Sequence, residues 1–98
     1  MGFTFKENCN DIRNTKIYDL YLYLINKKIN VNVHDPVASD KEAKNIYNIN
    51  LYSLNNKDKF DCIILAVKHK YYLKIGKKNI LSYGKKDCFF LDLKKCFE

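Results

Sequence analysis

The residues able to do chemistry in this chain are cationic and acidic rather than nucleophilic. The opening stretch "FTFKENCNDIR" carries Lys6 and Arg13, and Arg13 is the single arginine among 18 lysine and arginine residues. Further along stand His34 with Asp35, Lys68 with His69, and Asp92 with Lys94, each group at the end of an apolar stretch. A positive surplus at such places suits an anionic ligand, a phosphate above all, held by charge-assisted hydrogen bonds. A planar, permanently charged guanidinium clamps a phosphate or stacks in ways an ammonium cannot. That gives the lone arginine a reason to be kept. The plainer alternative is that Arg13 only ties the opening loop to the helix after it.

Other chemistries find little support. Cys9, Cys62, Cys88 and Cys96 form no C-x-x-C pair, which argues against a zinc site. Cys62 and Cys88 lie inside apolar runs, where a thiol behaves as a small buried hydrophobe. Thiols used this way fit a reduced, cytosolic protein. No cysteine has an activating constellation, and no Ser/His/Asp arrangement can be argued. There is no G-x-G-x-x-G and no P-loop, so nothing cradles a dinucleotide unaided. The formal net charge of +7 raises nucleic acid or an anionic membrane surface as partners. The lysines, however, are dispersed, with KK pairs at 27–28, 77–78, 85–86 and 94–95. Lys, Asn, Ile and Tyr are abundant throughout, so the charge reads as compositional bias and neither partner is expected.

The elements that must position these groups follow from periodicity. With 98 residues, 47% of them hydrophobic, the chain is expected to form one packed domain. No apolar run approaches the roughly 20 residues of a membrane span, and the start does not resemble an export signal. Ile17, Leu20, Tyr21, Leu24 and Ile25 mark one face of an amphipathic helix. "INVNVH" alternates as a strand that Asp35-Pro36 stops. Ser39 and Glu42 have capping-box spacing at the head of a short helix over 39–48. "INLYS" is a short strand, and "DCIILAV" (61–67) has the continuous apolar run of a strand buried on both faces. One or two helical turns follow, punctuated by Gly76 and Gly84, and "DCFFLDL" is the last strand.

Strands alternating with helices predict an α/β domain, a Rossmann-like doubly wound parallel sheet in three layers. In such sheets ligands bind beyond the carboxyl ends of the strands, where His34, Asp35, Lys68, His69, Asp92, Lys94 and the opening loop all fall. The first, central strand is truncated or missing, since only residues 1–5 precede the loop. Its loss forfeits about five buried side chains at about 1.5–3 kcal/mol each, comparable with the whole stability of a small domain, about 5–15 kcal/mol. The chain therefore reads as cut from something larger.

Four stretches in order resemble the C-terminal domain of the UDP-glucose/GDP-mannose dehydrogenase family. "FTFKENCNDIRNTK" is similar to that family's F-K-…-D-x-R loop, and "VNVHDP" to its V-x-V-x-D-P strand. "DCIILAVKH" resembles D-x-I-I-L-A-V-x-H, and "LDLKKCF" the closing D-x-K-G-x-F. The F-K-E-N-C variant is most like the branch oxidising UDP-N-acetylhexosamines for capsule, Vi or O-antigen sugars. The resemblance implies a homodimeric, NAD-dependent enzyme whose N-terminal Rossmann domain binds NAD and whose catalytic cysteine lies in a middle segment. In that enzyme the sugar C6 alcohol becomes a carboxylate, and the C-terminal domain closes over the nucleotide end of the substrate. Carried over by position, Phe5, Lys6 and Lys94 would contact UDP-sugar, and Arg13 would reach NAD held on the other domain. Asn10 stands in place of a proline, and Lys95 in place of the glycine of the closing motif, which weakens the case for Lys94. Asp35 resembles a ribose-binding acid only by location. The implied role is a UDP-sugar-binding domain, inactive alone; the alternatives are a module that only binds UDP or mediates subunit contacts, and a basic nucleic-acid-binding domain.

Overall fold

The computed structural model describes residues 1–13, 15–55 and 57–97. After the opening loop come α1 (Ile17–Asn26), α2 (Asp40–Tyr47), β1 (Phe60–Leu65), α3 (Lys70–Leu81) and β2 (Gly84–Asp92). α1 ends where Lys28 takes a left-handed conformation (φ 63°). Its N–H reaches the Ile25 carbonyl and the Ile29 N–H reaches that of Leu24, which satisfies two orphan carbonyls and turns the chain. α2 starts as its spacing predicts, with the Ser39 hydroxyl accepting the Glu42 N–H, and ends at left-handed Asn48. α3 is longer than the one or two turns expected, because the chain passes through Gly76 (φ 83°, ψ 157°) and resumes the helix beyond it. Only glycine takes that conformation at little cost.

β1 and β2 are parallel, Ile63 opposite Phe90 and Leu65 opposite Asp92. The remaining sheet positions are occupied by short contacts rather than regular strands. Met1 donates to the Ile64 carbonyl at 2.7 Å and accepts from the Ala66 N–H at 2.8 Å. One residue bonded to two that lie two apart is the parallel pattern. Gly2 donates to the His34 carbonyl at 2.7 Å, and Tyr52 to that of Val33 at 2.6 Å. The spatial order is thus 52, 33–34, 1–2, β1, β2: the order of a Rossmann-like sheet whose central strand is a two-residue stub. The expected strands over 29–34 and 49–53 accordingly lack a regular ladder, since a partner is present only at one end of the first.

The core is split by the same gap. One cluster gathers Phe3, Ile12, Val33, Ala43 and Ile49, with Ile17, Tyr18 and Tyr21 of α1 packed against it. The other gathers Ile63, Leu65, Tyr72 and Ile80, joining β1 to α3. α1 and α3 therefore cover opposite faces of the sheet. The expectation that Cys62 is buried is not met: Cys62 is exposed and Cys88 half-buried, because the position beside Cys62 in the sheet is open. Gly2 (φ 96°) is required where it stands, since a Cβ there would lie 2.6 Å from the Val67 Cβ.

Candidate functional site

The carboxyl edge of the sheet is organised around Asp35, one of few buried acidic or basic side chains. It ends the 31–34 segment, and five donors converge on it. Its Oδ2 accepts from the N–H groups of Phe3 at 2.6 Å and Thr4 at 3.1 Å and from His69 Nε2 at 2.9 Å. Its Oδ1 accepts from Val37 at 2.7 Å and Ala38 at 2.9 Å. Burial alone would push this carboxyl up; the bonds from His69, Phe3, Ala38 and Val37 outweigh it and hold the group well below the usual carboxylate range. An ionised, fully satisfied carboxylate therefore pins the first residues of the opening loop.

His69, fully buried just before α3, carries the loop further. Its Nδ1 accepts the Asn8 N–H at 2.9 Å, which leaves the proton on Nε2, shared between Asp35 and the Thr4 hydroxyl at 3.1 Å. The Thr4 hydroxyl donates in turn to the Lys6 carbonyl at 2.9 Å. Asn8, left-handed at φ 59°, sends its Oδ1 to the Lys70 N–H at 2.8 Å. α3 has no cap from His69 itself, so an asparagine 62 residues away satisfies one of its orphan donors. Thr4, Asn8, Asp35 and His69 form one latch. Asp35 serves as an anchor here, with both oxygens occupied by this chain's own donors.

What the latch holds out to solvent are the residues singled out by sequence. Phe5 is 58% exposed although its N–H is tied to the Asp11 carbonyl, and Lys6 is exposed beside it. Arg13 lies farther round the loop, its side chain 77% exposed. Its Nε and Nη2 donate to Oδ1 and Oδ2 of Asp11 at 3.1 and 3.2 Å, and the pair holds the guanidinium outward. Lys94 sits in the exposed turn that follows β2. There the Asp92 carboxylate accepts the N–H groups of Cys96 and Phe97, at 2.9 and 3.0 Å, and Lys95 is left-handed (φ 53°). The loop and the β2 turn thus share one edge of the sheet, with Lys68 exposed after β1. His34 faces inward instead: its Nδ1 donates to the Tyr72 hydroxyl, which donates to the His34 carbonyl. Among the described residues no group of acidic, histidine and cysteine side chains is arranged to hold a metal.

Thr4 and Asn8 were not singled out by sequence. Asn8 stands within "FKENC", but its partners are some 60 positions away, and only the parallel topology brings them together.

Comparison with known proteins gives the chain a family. The whole chain, residues 1–98, matches the model of the UDP-glucose/GDP-mannose dehydrogenase family, UDP binding domain. It is 42% identical over 94 residues to a UDP-N-acetyl-D-glucosamine 6-dehydrogenase of Pseudomonas aeruginosa, covering 96% of this chain and 22% of that protein. It is 38% identical over 94 residues to the Salmonella typhi protein of the same name, with the same coverage. Protein CapL of Staphylococcus aureus is 38% identical over 88 residues, 90% of this chain and 20% of its own length. The chain thus spans about a fifth of the length of these curated relatives. No solved structure gives a significant match.

Proposed function

Because the chain belongs to the UDP-glucose/GDP-mannose dehydrogenase family, as its UDP-binding domain, we propose that it closes over the nucleotide end of a UDP-sugar in an NAD-dependent UDP-sugar 6-dehydrogenase. The observation that carries this reading is the Asp35–His69–Asn8 latch, which fixes the loop backbone while leaving Phe5 and Lys6 outward. A loop whose backbone is already ordered loses little entropy when it takes a ligand.

In this reading Lys6 donates to sugar or phosphate oxygens, a charge-assisted contact of about 1.5–3 kcal/mol when formed against a desolvated partner. Phe5 gives the substrate an apolar face, and Lys94 adds a second cation from the β2 turn. The two relatives named UDP-N-acetyl-D-glucosamine 6-dehydrogenase support a UDP-N-acetylhexosamine as substrate, and in this reading the parent enzyme serves cytoplasmic polysaccharide biosynthesis, capsule included. NAD accepts the hydrides when the sugar C6 alcohol is oxidised to a carboxylate. This chain's own residues fit NAD only marginally. The turn after Gly2 has no glycine-rich dinucleotide loop, and in this reading the exposed Arg13 is the residue that reaches NAD held on the other domain. The dinucleotide and the catalytic cysteine belong to the rest of the parent enzyme, a homodimer, and the chain alone catalyses nothing.

The test is a thermal-unfolding titration with UDP and UDP-N-acetylglucosamine beside NAD and random-sequence DNA. The UDP ligands alone are expected to raise the melting temperature, by an amount equivalent to about 2.7 kcal/mol at a hundredfold excess over Kd. Lys6→Ala is expected to weaken that effect about tenfold in Kd. A melt that ignores UDP but responds to DNA, with strong salt dependence, overturns the reading.

A further inference from the structure

The lysines of this chain are dispersed, but the carboxylates that would balance them are not. From Cys62 to Lys86 there are seven lysines and no acidic residue. The other 73 residues carry eleven basic and eleven acidic side chains, so the entire formal charge of +7 belongs to this one segment. In the fold the segment is most of β1, all of α3 and the start of β2. Lys68, Lys70, Lys74, Lys77 and Lys78 are all exposed. Among the described residues, Lys85 is the one member of the seven that pairs with a carboxylate, that of Asp61 at 3.0 Å.

Topology brings much of this charge to the edge that holds the opening loop. α3 begins at that edge, where the Lys70 N–H is bonded to Asn8, and Lys74 stands about 6 Å farther along the helix. Lys68 lies between β1 and α3. Lys77 leans over β2, its ammonium 5.7 Å from the centre of the Phe90 ring, two residues short of the carboxyl end of that strand. Lys94 and Lys95 follow in the next turn. Asp92 offsets one of these charges, and its two oxygens are engaged by the Cys96 and Phe97 N–H groups. The loop adds nothing to the balance: from Phe3 to Arg13 it holds two cations and two anions. The long-range field at this edge therefore comes from the α3 side, while Phe5 and Lys6 stand on a neutral loop.

We propose that the lysine face of α3 steers nucleoside diphosphates onto this edge: it draws the polyanion in at long range and delivers it to the opening loop, without itself contacting the bound ligand. The proposal rests on the UDP-sugar reading above and divides the work between two sets of residues. Fields from several like charges sum over distances at which single contacts are negligible, and they raise the association rate of an oppositely charged ligand by roughly 10–10³. A diphosphate is drawn in this way, whereas a neutral sugar is not. Exposed ammonium groups without a carboxylate partner act on encounter more than on the lifetime of the complex. Salt limits their reach, to about 8 Å at physiological ionic strength and about 30 Å at 0.01 M.

The test is stopped-flow binding of UDP, carrying a fluorophore on its ribose, to the 98-residue chain over a range of salt. Lys70→Glu with Lys74→Glu is expected to lower kon about tenfold at about 0.01 M salt and to leave koff within about twofold. An acid near the head of a helix is favourable there, so this pair is expected to melt no lower than the unaltered chain. At about 1 M salt, where the screening length is about 3 Å, the two kon values are expected to coincide. Lys27→Glu with Lys28→Glu makes the same change of net charge at the opposite edge, beyond the end of α1, and is expected to lower kon less than about threefold. Lys6→Ala is expected to raise koff with kon nearly intact. A kon indifferent to Lys70 and Lys74 overturns the steering role. So does an equal fall with the Lys27 and Lys28 pair, which makes net charge alone the cause. A raised koff for Lys70→Glu with Lys74→Glu overturns it too, by making those lysines direct contacts. UDP that binds no form of the chain at any salt overturns the UDP-sugar reading itself, a result distinct from binding at an unaltered rate.

Discussion

At the scale of single residues, the decisive contrast is between Asp35 and Arg13. Asp35 is buried and meets five donors, whereas Arg13 meets one exposed carboxylate in its own loop. Removing a partner from a buried polar network leaves the others unsatisfied; removing an exposed ion-pair partner does not. His69→Gln keeps a side-chain donor but offers the Asn8 N–H no equivalent acceptor. It is expected to lower stability by about 1–3 kcal/mol in urea denaturation and to weaken UDP binding through a loosened Phe5–Lys6 loop. Arg13→Ala is expected to leave the melting temperature of the isolated chain unchanged. The sequence marks His69, because it closes an apolar run, and Asp35, because it precedes Pro36. It does not mark Thr4 or Asn8, whose roles depend on partners 61 to 65 positions away.

Among the elements, those with local determinants are legible and those that depend on a neighbour are not. α1 and α2 lie where spacing and the Ser39 cap place them. β1 and β2 form because each finds the other. The 29–34 stretch alternates as well as any strand, yet its ladder is limited to contacts at Val33 and His34, since hydrogen bonding along a strand requires a partner along its length. Cys62 fails as a buried thiol for the same reason. The closing turn supplies a test at this scale. Lys95 adopts φ 53° at the position where the family resemblance has glycine, a conformation that costs a side chain about 1–2 kcal/mol. Lys95→Gly is expected to stabilise the chain by about 0.5–1 kcal/mol after the entropy of glycine is deducted, read as a higher urea midpoint at constant slope.

For the whole molecule, three groups tie stability to pH in one direction. Burial, helped by the neighbouring Met1 amino group, lowers the His34 pKa from 6.5 to about 4, and burial lowers that of Met1 from 8.0 to about 6. Both bind fewer protons folded than unfolded, so stability rises with pH across those ranges. The depressed Asp35 carboxyl acts likewise: its contribution is present above the unfolded carboxylate range near pH 4 and is lost as pH falls below it. The urea midpoint is therefore expected to climb continuously from pH 3 to pH 8, and His34→Gln to flatten the part between pH 4 and 6.5. The two core clusters are linked at the carboxyl edge by the bonds of Met1, Gly2, Asp35 and His69, and they part where the sheet is open beside Cys62. Mechanically this is a pair of tongs held at the pivot. The end that carries Phe5 and Lys6 is bonded across the sheet through Asn8, Asp35 and His69, so displacing that loop requires breaking buried hydrogen bonds.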